Sequence, residues 1–376
     1  MASDTIKNVA IVSNTSWYIY NFRKGLLQKL ISAGYNVFAI APKDKFVKEI
    51  ETLGCVFIEL KHIHNKGKNP FHDISLTLEL RKIFKANHLD FCFFFTPKIN
   101  IFGSLAAKFT GIKTVATING LGFVFSEGQP GWLKFTVEKL YTIAFKNLKA
   151  IIFQNNDDKN YFLQNKIIDH RQEIILVKGS GANLTEFNQK TFFNTGNQLV
   201  FLLSARLIKE KGLSEYFEAA KNLKQKYPDI TCALLGLEAD NPSSIPLQIV
   251  EKMHEQKIID YRGGTDDMSS VLNTIDVMVL PSYYREGIPK ILIEALAKGL
   301  PVITTNNIGC KETVDNGENG FLIEIKNASA LEAAMEKMIL MTAEDLARMG
   351  KLSRAKAELE FDEAYNHKAY ISILNS

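Results

Sequence analysis

The stretch Val277–Gly299, with the sequence V-M-V-L-P-S-Y-Y-R-E-G-I-P-K-I-L-I-E-A-L-A-K-G, decides the fold. Its first four residues are apolar without interruption, which predicts a strand buried in a parallel sheet. Pro289 suits the first turn of a helix and Gly299 suits its end, so we predict a helix over Lys290–Lys298. The stretch therefore indicates a strand, a loop and a buried helix of an α/β protein.

Two carboxylates belong to this stretch. Glu294 lies in the middle of the apolar helix, where a carboxylate is costly unless it is paired or hydrogen-bonded. Glu286 precedes the helix beside Gly287, where free backbone N–H groups can hold an anion. Open α/β sheets bind ligands at this end of their strands, so we predict a binding site here. For Glu294 the alternative is a buried ion pair with a neighbouring Lys or Arg.

Length and cysteine pattern set outer limits on the protein. A chain of 376 residues is long enough for two domains with complete cores. Its four scattered cysteines form neither a C-x-x-C motif nor a zinc spacing, which favours a reduced cytoplasmic setting. No apolar run approaches the roughly 20 residues of a membrane span, and the N-terminus does not resemble a signal peptide.

Charge is distributed unevenly along the chain. Residues 1–190 contain 25 Lys and Arg against 15 Asp and Glu, a net charge of +10, whereas the remainder carries −6. A basic first half favours an anionic partner, which leaves open a membrane surface, a lipid phosphate or nucleic acid. The alternative is that these charges are spread over solvated faces and have no partner.

Strand-like and helix-like patterns alternate along most of the chain. They run from Val9 to Val177 and restart at Leu199, after a polar stretch, Asn188–Gln198, that we interpret as a linker. Such alternation favours parallel, doubly wound sheets. We therefore predict two α/β domains, residues 1–190 and 191–376, with a cleft between them where ligands commonly bind. The last helix is expected to pack back on the first domain.

A pair of cations follows the predicted strand Leu199–Ser204. Arg206 and Lys211 lie in the sequence S-A-R-L-I-K-E-K-G-L, directly before a predicted helix. Two cations at the carboxyl end of a strand are well placed to neutralise a diphosphate. The alternative is a solvated loop with a chance pair; it is favoured for this pair alone and disfavoured once Glu286 and Glu294 are considered as well.

Four motifs carry a specific resemblance: A-R-L-I-K-E-K-G, R-G-G-T-D-D-M, D-V-M-V-L-P-S and E-G-I-P-K-I-L-I-E. Over residues 199 to about 325 they closely resemble the retaining glycosyltransferases of family four, whose E-x7-E spacing Glu286 and Glu294 match. In the first half, S-W-Y-I-Y-N-F-R, N-K-G-K-N-P and T-I-N-G-L-G resemble more loosely the members that build bacterial capsule, O-antigen and lipid-linked glycans. The resemblance implies the GT-B fold of two Rossmann-like domains.

The resemblance also implies roles for the residues of the second half. Arg206 and Lys211 would bind the nucleotide diphosphate and stabilise negative charge on the departing phosphate. Glu286 would position hydroxyls of the donor sugar, and Glu294 would hold the ribose. Backbone N–H groups beside the sugar and two residues beside the base complete the implied donor site: Gly287, Ile288, Arg262 and Gly263.

The acceptor is expected in the first half. Gly120 and Gly122 follow the predicted strand Thr114–Ile118, where glycines let a ligand approach the backbone closely, unless the segment is a plain turn. Asn119 stands where many members of the family carry a histidine. This departure leaves the acid or base of the first half unidentified, and we hypothesise that the leaving phosphate itself accepts the proton of the acceptor.

The segment Ser16–Arg23 is expected between the first strand and the first helix, which is a ligand-facing position. Tyr20 and Arg23 are the candidates for acceptor contacts, and Arg23 is expected to meet an acceptor phosphate. The alternative is that the aromatic residues of this segment pack as core. A later basic loop is a further candidate for contact with a phosphate: His62, His64, Lys66 and Lys68. For its histidines, solvation is favoured over metal binding, because no carboxylate partner has ligand spacing.

A further helix is predicted over Trp132–Asn147. One of its sides is an apolar stripe typical of a core, whereas Trp132 and Phe135 lie toward another side with several lysines. That second side resembles a helix resting on an anionic membrane surface, and the alternative is a helix that packs between domains. Asp157-Asp158 and Asp266-Asp267 indicate helix starts rather than a D-x-D motif, so no essential metal is expected.

These observations and the resemblance predict a retaining glycosyltransferase that is cytoplasmic and peripheral on the inner face of the cell membrane. It would move a sugar, an N-acetylhexosamine, from a UDP-sugar to a polyprenyl-diphosphate-linked glycan, with no metal cofactor and no nucleic acid partner. Closure of the two halves would exclude water. The alternatives are a sugar-nucleotide epimerase on the same scaffold and a non-catalytic membrane-binding protein.

Overall fold

A computed structural model describes residues 7–63, 70–125, 130–239 and 241–376 of the chain. The chain divides into two compact units. The first unit contains the residues up to Ser180 together with Glu363–Ser376, and the second runs from Gly181 to Asp362. The division lies ahead of the boundary expected after residue 190, and the last helix belongs to the first unit.

A parallel sheet forms the centre of the first unit. In the described part of the chain its strands are β1 (Asn8–Val12), β2 (Asn36–Ala41), β3 (Val56–Glu59), β4 (Phe91–Phe95), β5 (Lys113–Ile118), β6 (Ala150–Phe153) and β7 (Ile174–Leu176). They lie in the order β3-β2-β1-β4-β5-β6-β7, so the winding reverses between β1 and β4. Strand β4 is buried along its whole length, and its side chains alternate between the cores on the two faces of the sheet.

The helices of the first unit cover both faces of this sheet. They are α1 (Ser16–Ser32), α2 (Val47–Thr52), α3 (Pro70–Ala86), α4 (Pro97–Ala107), α5 (Gly131–Ala144), α6 (Asn156–Gln164) and the C-terminal helix Glu363–Asn375. From the C-terminal helix, Tyr370 is buried in the core with its ring edge against Phe93 at 5.2 Å and its hydroxyl 3.0 Å from Thr117 Oγ1. The end of the chain therefore completes the core of the first unit.

The start of α1 corrects one prediction. The segment Ser16–Arg23 was expected ahead of the first helix, but α1 begins at Ser16, where the Thr15 side chain accepts from Tyr18 N at 3.0 Å. Buried residues at helical spacing, among them Ile19 and Arg23, continue through the aromatic run. The prediction was wrong because the aromatic residues on the other sides of the helix obscure this period.

A second parallel sheet forms the centre of the second unit. Within the described residues its strands are β8 (Val200–Ser204), β9 (Thr231–Leu235), β10 (Asp260–Tyr261), β11 (Val277–Leu280), β12 (Val302–Thr305) and β13 (Gly320–Ile323). Their order is β10-β9-β8-β11-β12-β13, so the winding reverses between β8 and β11. The predicted α/β fold of two doubly wound domains is confirmed.

The helices of the second unit are α7 (Leu213–Lys226), α8 (Leu247–Glu255), α9 (Met268–Asn273), α10 (Lys290–Lys298), α11 (Ala328–Ile339) and α12 (Ala343–Glu360), and the C-terminal helix is α13. Helix α10 begins and ends at the residues predicted from Pro289 and Gly299. Strand β13 and helix α8 were not predicted, although both contain apolar residues, because each element is short.

The segment Asn188–Gln198 is not an open linker. Phe193 is buried in the core of the second unit. The fully buried carboxylate of Asp276 accepts from Lys190 Nζ at 2.8 Å and from the Asn194 backbone N and Nδ2 at 3.1 and 2.9 Å. The polar composition suggested a linker, but a buried carboxylate supplies the partners that this polar segment requires.

Helices α3 and α5 expose large apolar side chains. Trp132 and Phe135 of α5 are 61% and 59% exposed, and Phe71 of α3 is 76% exposed. In the described part of the chain, no helix combines the length and apolar character needed to cross a membrane. By their exposure, the apolar side chains of α3 and α5 form apolar surface on the first unit.

Candidate active site

The second unit brings two predicted catalytic residues into contact. Lys211 follows β8 and Glu286 follows β11, the neighbouring strands between which the winding reverses. Lys211 Nζ lies 2.5 Å from Glu286 Oε1, and the two side chains are 11% and 15% exposed. This ion pair stands at the carboxyl edge of the sheet, where open α/β sheets bind ligands.

Hydrogen bonds fix the geometry of this pair. Ser282 Oγ lies 2.9 Å from Glu286 Oε1 and donates to it. The backbone N–H groups of Tyr283 and Tyr284 donate to the carbonyl oxygen of Glu210 at 2.8 and 3.0 Å, which ties the loop after β11 to the loop after β8. Lys211 and Glu286 are thus held together by their own backbone segments as well as by their charges.

The backbone before α10 passes so close to Gly309 that no side chain fits at that position. Gly309 has φ +85°, and a Cβ placed there would lie 1.6 Å from the carbonyl oxygen of Gly287. Gly287 and Ile288, two predicted donor-binding residues, are both buried. A substitution at Gly309 would therefore displace the backbone that carries Glu286.

Arg206 and Lys211 share an aromatic neighbour that the sequence did not indicate. The Arg206 guanidinium lies 6.0 Å from the ring centroid of Tyr284, and Lys211 Nζ lies 5.5 Å from the same centroid. Both distances are within the range of cation–π interactions. Tyr284 belongs to the quoted stretch, but its neighbour Tyr283 is chemically alike, so the sequence offers no reason to choose between them.

Glu294 forms an ion pair with a neighbouring lysine, which was the alternative interpretation of its position in the apolar helix. Its Oε1 lies 2.9 Å from Lys290 Nζ one helical turn away, and the side chain is nearly buried. This ion pair explains how a carboxylate is tolerated in the apolar helix. Oε2 of Glu294 contacts no partner within the described ranges of the chain, so the predicted role with the ribose stays a prediction.

The two residues expected beside the base lie at the same edge of the sheet. The carbonyl oxygen of Gly263 accepts from Gly236 N at 2.7 Å, so Gly263 lies beside the residue that directly follows β9. Arg262 Nε donates to Asp260 Oδ2 at 2.8 Å, and Nη1 lies 3.4 Å from Thr274 Oγ1. The Arg262 side chain is therefore engaged on the surface, and its role with a base stays a prediction.

In the first unit, two predicted acceptor residues are in contact. Arg23 Nη2 donates to Asn119 Oδ1 at 3.3 Å and to the Tyr18 hydroxyl at 2.8 Å. Gln154 Nε2 donates to the same Asn119 oxygen at 3.1 Å. Tyr20 is not part of this cluster, because its ring stacks on Phe46 at a centroid distance of 5.3 Å.

The cluster corrects the expected role of Arg23. Its side chain is 3% exposed, with the guanidinium 4.2 Å from the ring centroid of Phe95, so Arg23 does not reach a ligand as a surface cation. Tyr18 was missed because nothing in the sequence distinguishes it from the aromatic residues beside it. Burial raises the pKa of the Tyr18 hydroxyl, and the charge of Arg23 offsets part of this shift, so the hydroxyl is neutral at pH 7.

Two further backbone features lie at the carboxyl edge of the first sheet. Gly120 and Gly122 adopt φ of +100° and +66°, as the predicted glycine turn requires. Thr96, directly after β4, has φ +74°, which is rare for a β-branched residue, and its buried Oγ1 has no hydrogen-bond partner among the residues that the structure describes. Strain of this kind is concentrated at functional sites, and the sequence contained no signal for it.

The two Asp pairs lie at helix starts, as the sequence predicted. Asp267 caps α9 by accepting from Ser270 N at 3.0 Å, and Asp158 lies in the first turn of α6, so both helix starts are confirmed.

In the histidine loop, His62 Nδ1 lies 3.2 Å from Glu79 Oε2. No three His, Cys, Asp or Glu side chains within the described ranges form a potential metal site. Three residues of the loop lie outside the described ranges: His64, Lys66 and Lys68.

Comparison with known protein families accounts for both halves of the chain. Residues 185–356 match the family described as Glycosyl transferases group 1, and residues 8–155 match the one described as Glycosyl transferase 4-like. The chain is a family-four glycosyltransferase. The motifs that carried the resemblance lie mainly within the first of these matches.

Two relatives of this glycosyltransferase have informative names. The N,N'-diacetylbacillosaminyl-diphospho-undecaprenol alpha-1,3-N-acetylgalactosaminyltransferase of Campylobacter jejuni is 29% identical over 380 residues, 97% of each chain. The UDP-Gal:alpha-D-GlcNAc-diphosphoundecaprenol alpha-1,3-galactosyltransferase of Escherichia coli is 26% identical over 276 residues, 71% of this chain and 70% of the relative. These names describe sugar transfer, which favours a transferase over an epimerase or a non-catalytic membrane protein.

Solved structures confirm the GT-B fold of this family-four glycosyltransferase. A glycosyltransferase from Rickettsia africae superposes with a TM-score of 0.78 at 20% identity, covering 99% of this chain and 98% of the other. Anabaena Alr3699/HepE, solved in complex with UDP and glucose, gives a TM-score of 0.77 at 17% identity, covering 99% and 100%. At these identities the similarity concerns the fold alone.

Proposed function

We propose that this glycosyltransferase transfers an N-acetylhexosamine from a UDP-sugar to a polyprenyl-diphosphate-linked glycan, with retention of the anomeric configuration. The observation that carries the proposal is the Lys211–Glu286 pair at the reversal of the second sheet, with Glu294 at the E-x7-E spacing. The name of the Campylobacter relative supports both the lipid diphosphate and the N-acetylhexosamine.

The donor is held by the second unit. Arg206 and Lys211 neutralise the diphosphate and stabilise the charge that develops on the departing UDP. Lys211 is paired with Glu286, so the diphosphate of the donor replaces one anionic partner of Lys211 with another. Glu286, which Ser282 still holds, then accepts hydrogen bonds from hydroxyls of the donor sugar. Oε2 of Glu294, which has no partner among the described residues, accepts from the ribose hydroxyls.

The transfer requires no base from the protein. The bond between the anomeric carbon and the β-phosphate oxygen breaks, and the acceptor hydroxyl oxygen bonds to the same face of that carbon. The proton of the acceptor hydroxyl passes to the leaving phosphate oxygen. Asn119 supports this route, because an amide stands where a histidine would offer a base, and a neutral amide does not accept the proton.

The first unit associates peripherally with the anionic inner face of the cell membrane. Trp132, Phe135 and Ile143 are exposed on one side of α5, and Lys139 shares that side. Helix α3 adds a second exposed stripe that the sequence did not suggest. Helix α4 packs against both α3 and α5. Apolar and basic side chains on one helix face are typical of helices that lie in a membrane interface.

The test is a transfer assay with purified full-length protein. A panel of UDP-sugars is offered with a short-chain polyprenyl diphosphate that carries one sugar, and the new linkage is examined by NMR. We expect an N-acetylhexosamine to be transferred in α linkage. Transfer in β linkage would contradict retention, and an epimerised sugar nucleotide formed without any acceptor would favour the epimerase.

A further inference from the structure

The buried charge of Arg23 requires an explanation. Its guanidinium contacts the Tyr18 hydroxyl, the Asn119 amide and the Phe95 ring, and no carboxylate pairs with it in the described part of the chain. Its Nε is also buried and has no hydrogen-bond partner among the described residues. An unpaired buried charge is costly, and a protein that retains one commonly uses it.

The direction of each hydrogen bond in this cluster follows from Arg23, because a guanidinium can only donate. The Asn119 atom that faces Arg23 Nη2 at 3.3 Å is therefore the carbonyl oxygen Oδ1, which also accepts from Gln154. The Asn119 amide nitrogen then faces the Tyr18 hydroxyl, at 2.7 Å, and must donate to it. The orientation of the Asn119 amide is thus determined by its neighbours.

The Tyr18 hydroxyl receives two donors and has one proton left to give. Arg23 Nη2 and Asn119 Nδ2 occupy both of its acceptor positions. No described residue accepts the hydroxyl proton of Tyr18. Tyr18 and Asn119 are partly exposed, whereas Arg23 and Gln154 are buried. A ligand would therefore meet the O–H of Tyr18, with the positive charge of Arg23 beneath it.

This arrangement selects an anionic oxygen. The cluster offers an O–H donor and an amide N–H donor. Its field is positive because no carboxylate of the described residues pairs with Arg23. Hydrogen bonds to charged oxygens are shorter and stronger than those to neutral ones, and phosphoryl oxygens are the usual anionic acceptors. The proposed function supplies two such groups, the diphosphate of the lipid-linked acceptor and the diphosphate of the nucleotide.

We propose that Tyr18 donates a hydrogen bond to a phosphoryl oxygen of the acceptor's diphosphate, and that Arg23 is a positioning residue that orients Tyr18 and Asn119. This inference rests on the proposed function. The lipid source is favoured because the cluster belongs to the first unit, whereas the cations assigned to the nucleotide, Arg206 and Lys211, belong to the second.

The test measures binding by calorimetry on the full-length chain, with farnesyl diphosphate and UDP as the two probes. Tyr18→Phe keeps the ring and removes the hydroxyl, and we expect it to weaken farnesyl diphosphate binding by roughly tenfold or more with UDP binding unchanged, since one hydrogen bond to a charged group is lost. Tyr35→Phe is the matched control, because the hydroxyl of Tyr35 makes only an exposed bond to Asn375.

Each outcome decides the inference. Weaker UDP binding with unchanged farnesyl diphosphate binding would assign the cluster to the nucleotide and overturn the acceptor assignment. If Tyr18→Phe binds each probe as tightly as the wild type does, the cluster is not a binding site. The same conclusion follows if the wild type binds UDP but no farnesyl diphosphate. Arg23→Lys, which keeps the charge but not the planar fork, should reproduce part of the loss.

The same variants separate this inference from the proposed function. With a lipid-linked sugar as acceptor, Tyr18→Phe should raise the KM for the acceptor roughly tenfold and leave the KM for the donor unchanged. A general disturbance of the structure would change both values together. If the wild type transfers no sugar from any UDP-sugar, the proposed function fails, and the calorimetric comparison still tests whether the cluster binds a prenyl diphosphate.

Discussion

The pairing of Lys211 with Glu286 leads to an unusual expectation for Glu286→Gln. The substitution keeps the shape of the side chain and removes its charge. If the diphosphate and Glu286 compete for Lys211, the variant should bind UDP more tightly than the wild type does. Transfer should fall at the same time by roughly a hundredfold or more, a loss of the size seen when a group that stabilises the transition state is removed.

The magnitude follows from the geometry of the pair. At the observed 2.5 Å, Coulomb's law with an effective dielectric constant of about 20 gives an attraction of roughly 7 kcal/mol. Desolvation offsets most of this attraction, and glutamine still accepts from Lys211. The net difference between a charged and a neutral acceptor is therefore about 1 to 1.4 kcal/mol, since hydrogen bonds to charged groups exceed neutral ones by this amount. The Kd for UDP should fall by roughly five- to tenfold.

The assay is calorimetric titration of UDP at fixed ionic strength, with Glu294→Gln as the matched control. Glu294 is also paired with a lysine, Lys290 at 2.9 Å, so the chemical change is the same in both variants. We expect Glu294→Gln to weaken UDP binding, because the ribose loses an acceptor. If Glu286→Gln weakens UDP binding as Glu294→Gln does, Lys211 is not released for the diphosphate and the reasoning fails.

Three further substitutions test other parts of the molecule. Lys211→Ala should lower the transfer rate by roughly a hundred- to a thousandfold, while the free energy of unfolding in urea falls by about 1–3 kcal/mol and the protein stays folded in the assay. A loss of activity no larger than the loss of folded protein would contradict a catalytic role. Asp276→Ala should lower the free energy of unfolding in urea by about 3–5 kcal/mol, because the nearly buried Lys190 loses its charged partner. A change below about 1 kcal/mol would mean that Asp276 does not hold the segment Asn188–Gln198 in place. Trp132→Ser with Phe135→Ser should reduce sedimentation with anionic vesicles, whereas Phe192→Ser, exposed in the second unit, should not; equal sedimentation would mean that α5 is structural.

Most of the second fold unit could be predicted from local patterns. Helix α10 begins and ends where Pro289 and Gly299 placed it, and the apolar run before it forms β11. These signals are strong because backbone constraints and burial act within a few residues. Two segments were harder to predict, since both depend on packing partners elsewhere: the aromatic run of α1 in the first unit and the polar segment around Phe193 in the second.

The sequence by itself determined the alternation of strands and helices, the E-x7-E spacing of Glu286 and Glu294 and the family, because each is a property of residues close together in the chain. The partner of Glu294 could also be predicted from the sequence, since Lys290 lies one helical turn away. Only the tertiary structure decided which distant side chains meet. The order of the strands brings Lys211 to Glu286. Packing buries Arg23, which was expected to meet an acceptor phosphate, and directs its guanidinium to the Tyr18 hydroxyl. Such pairings depend on strand order and on side-chain direction, which no local pattern encodes.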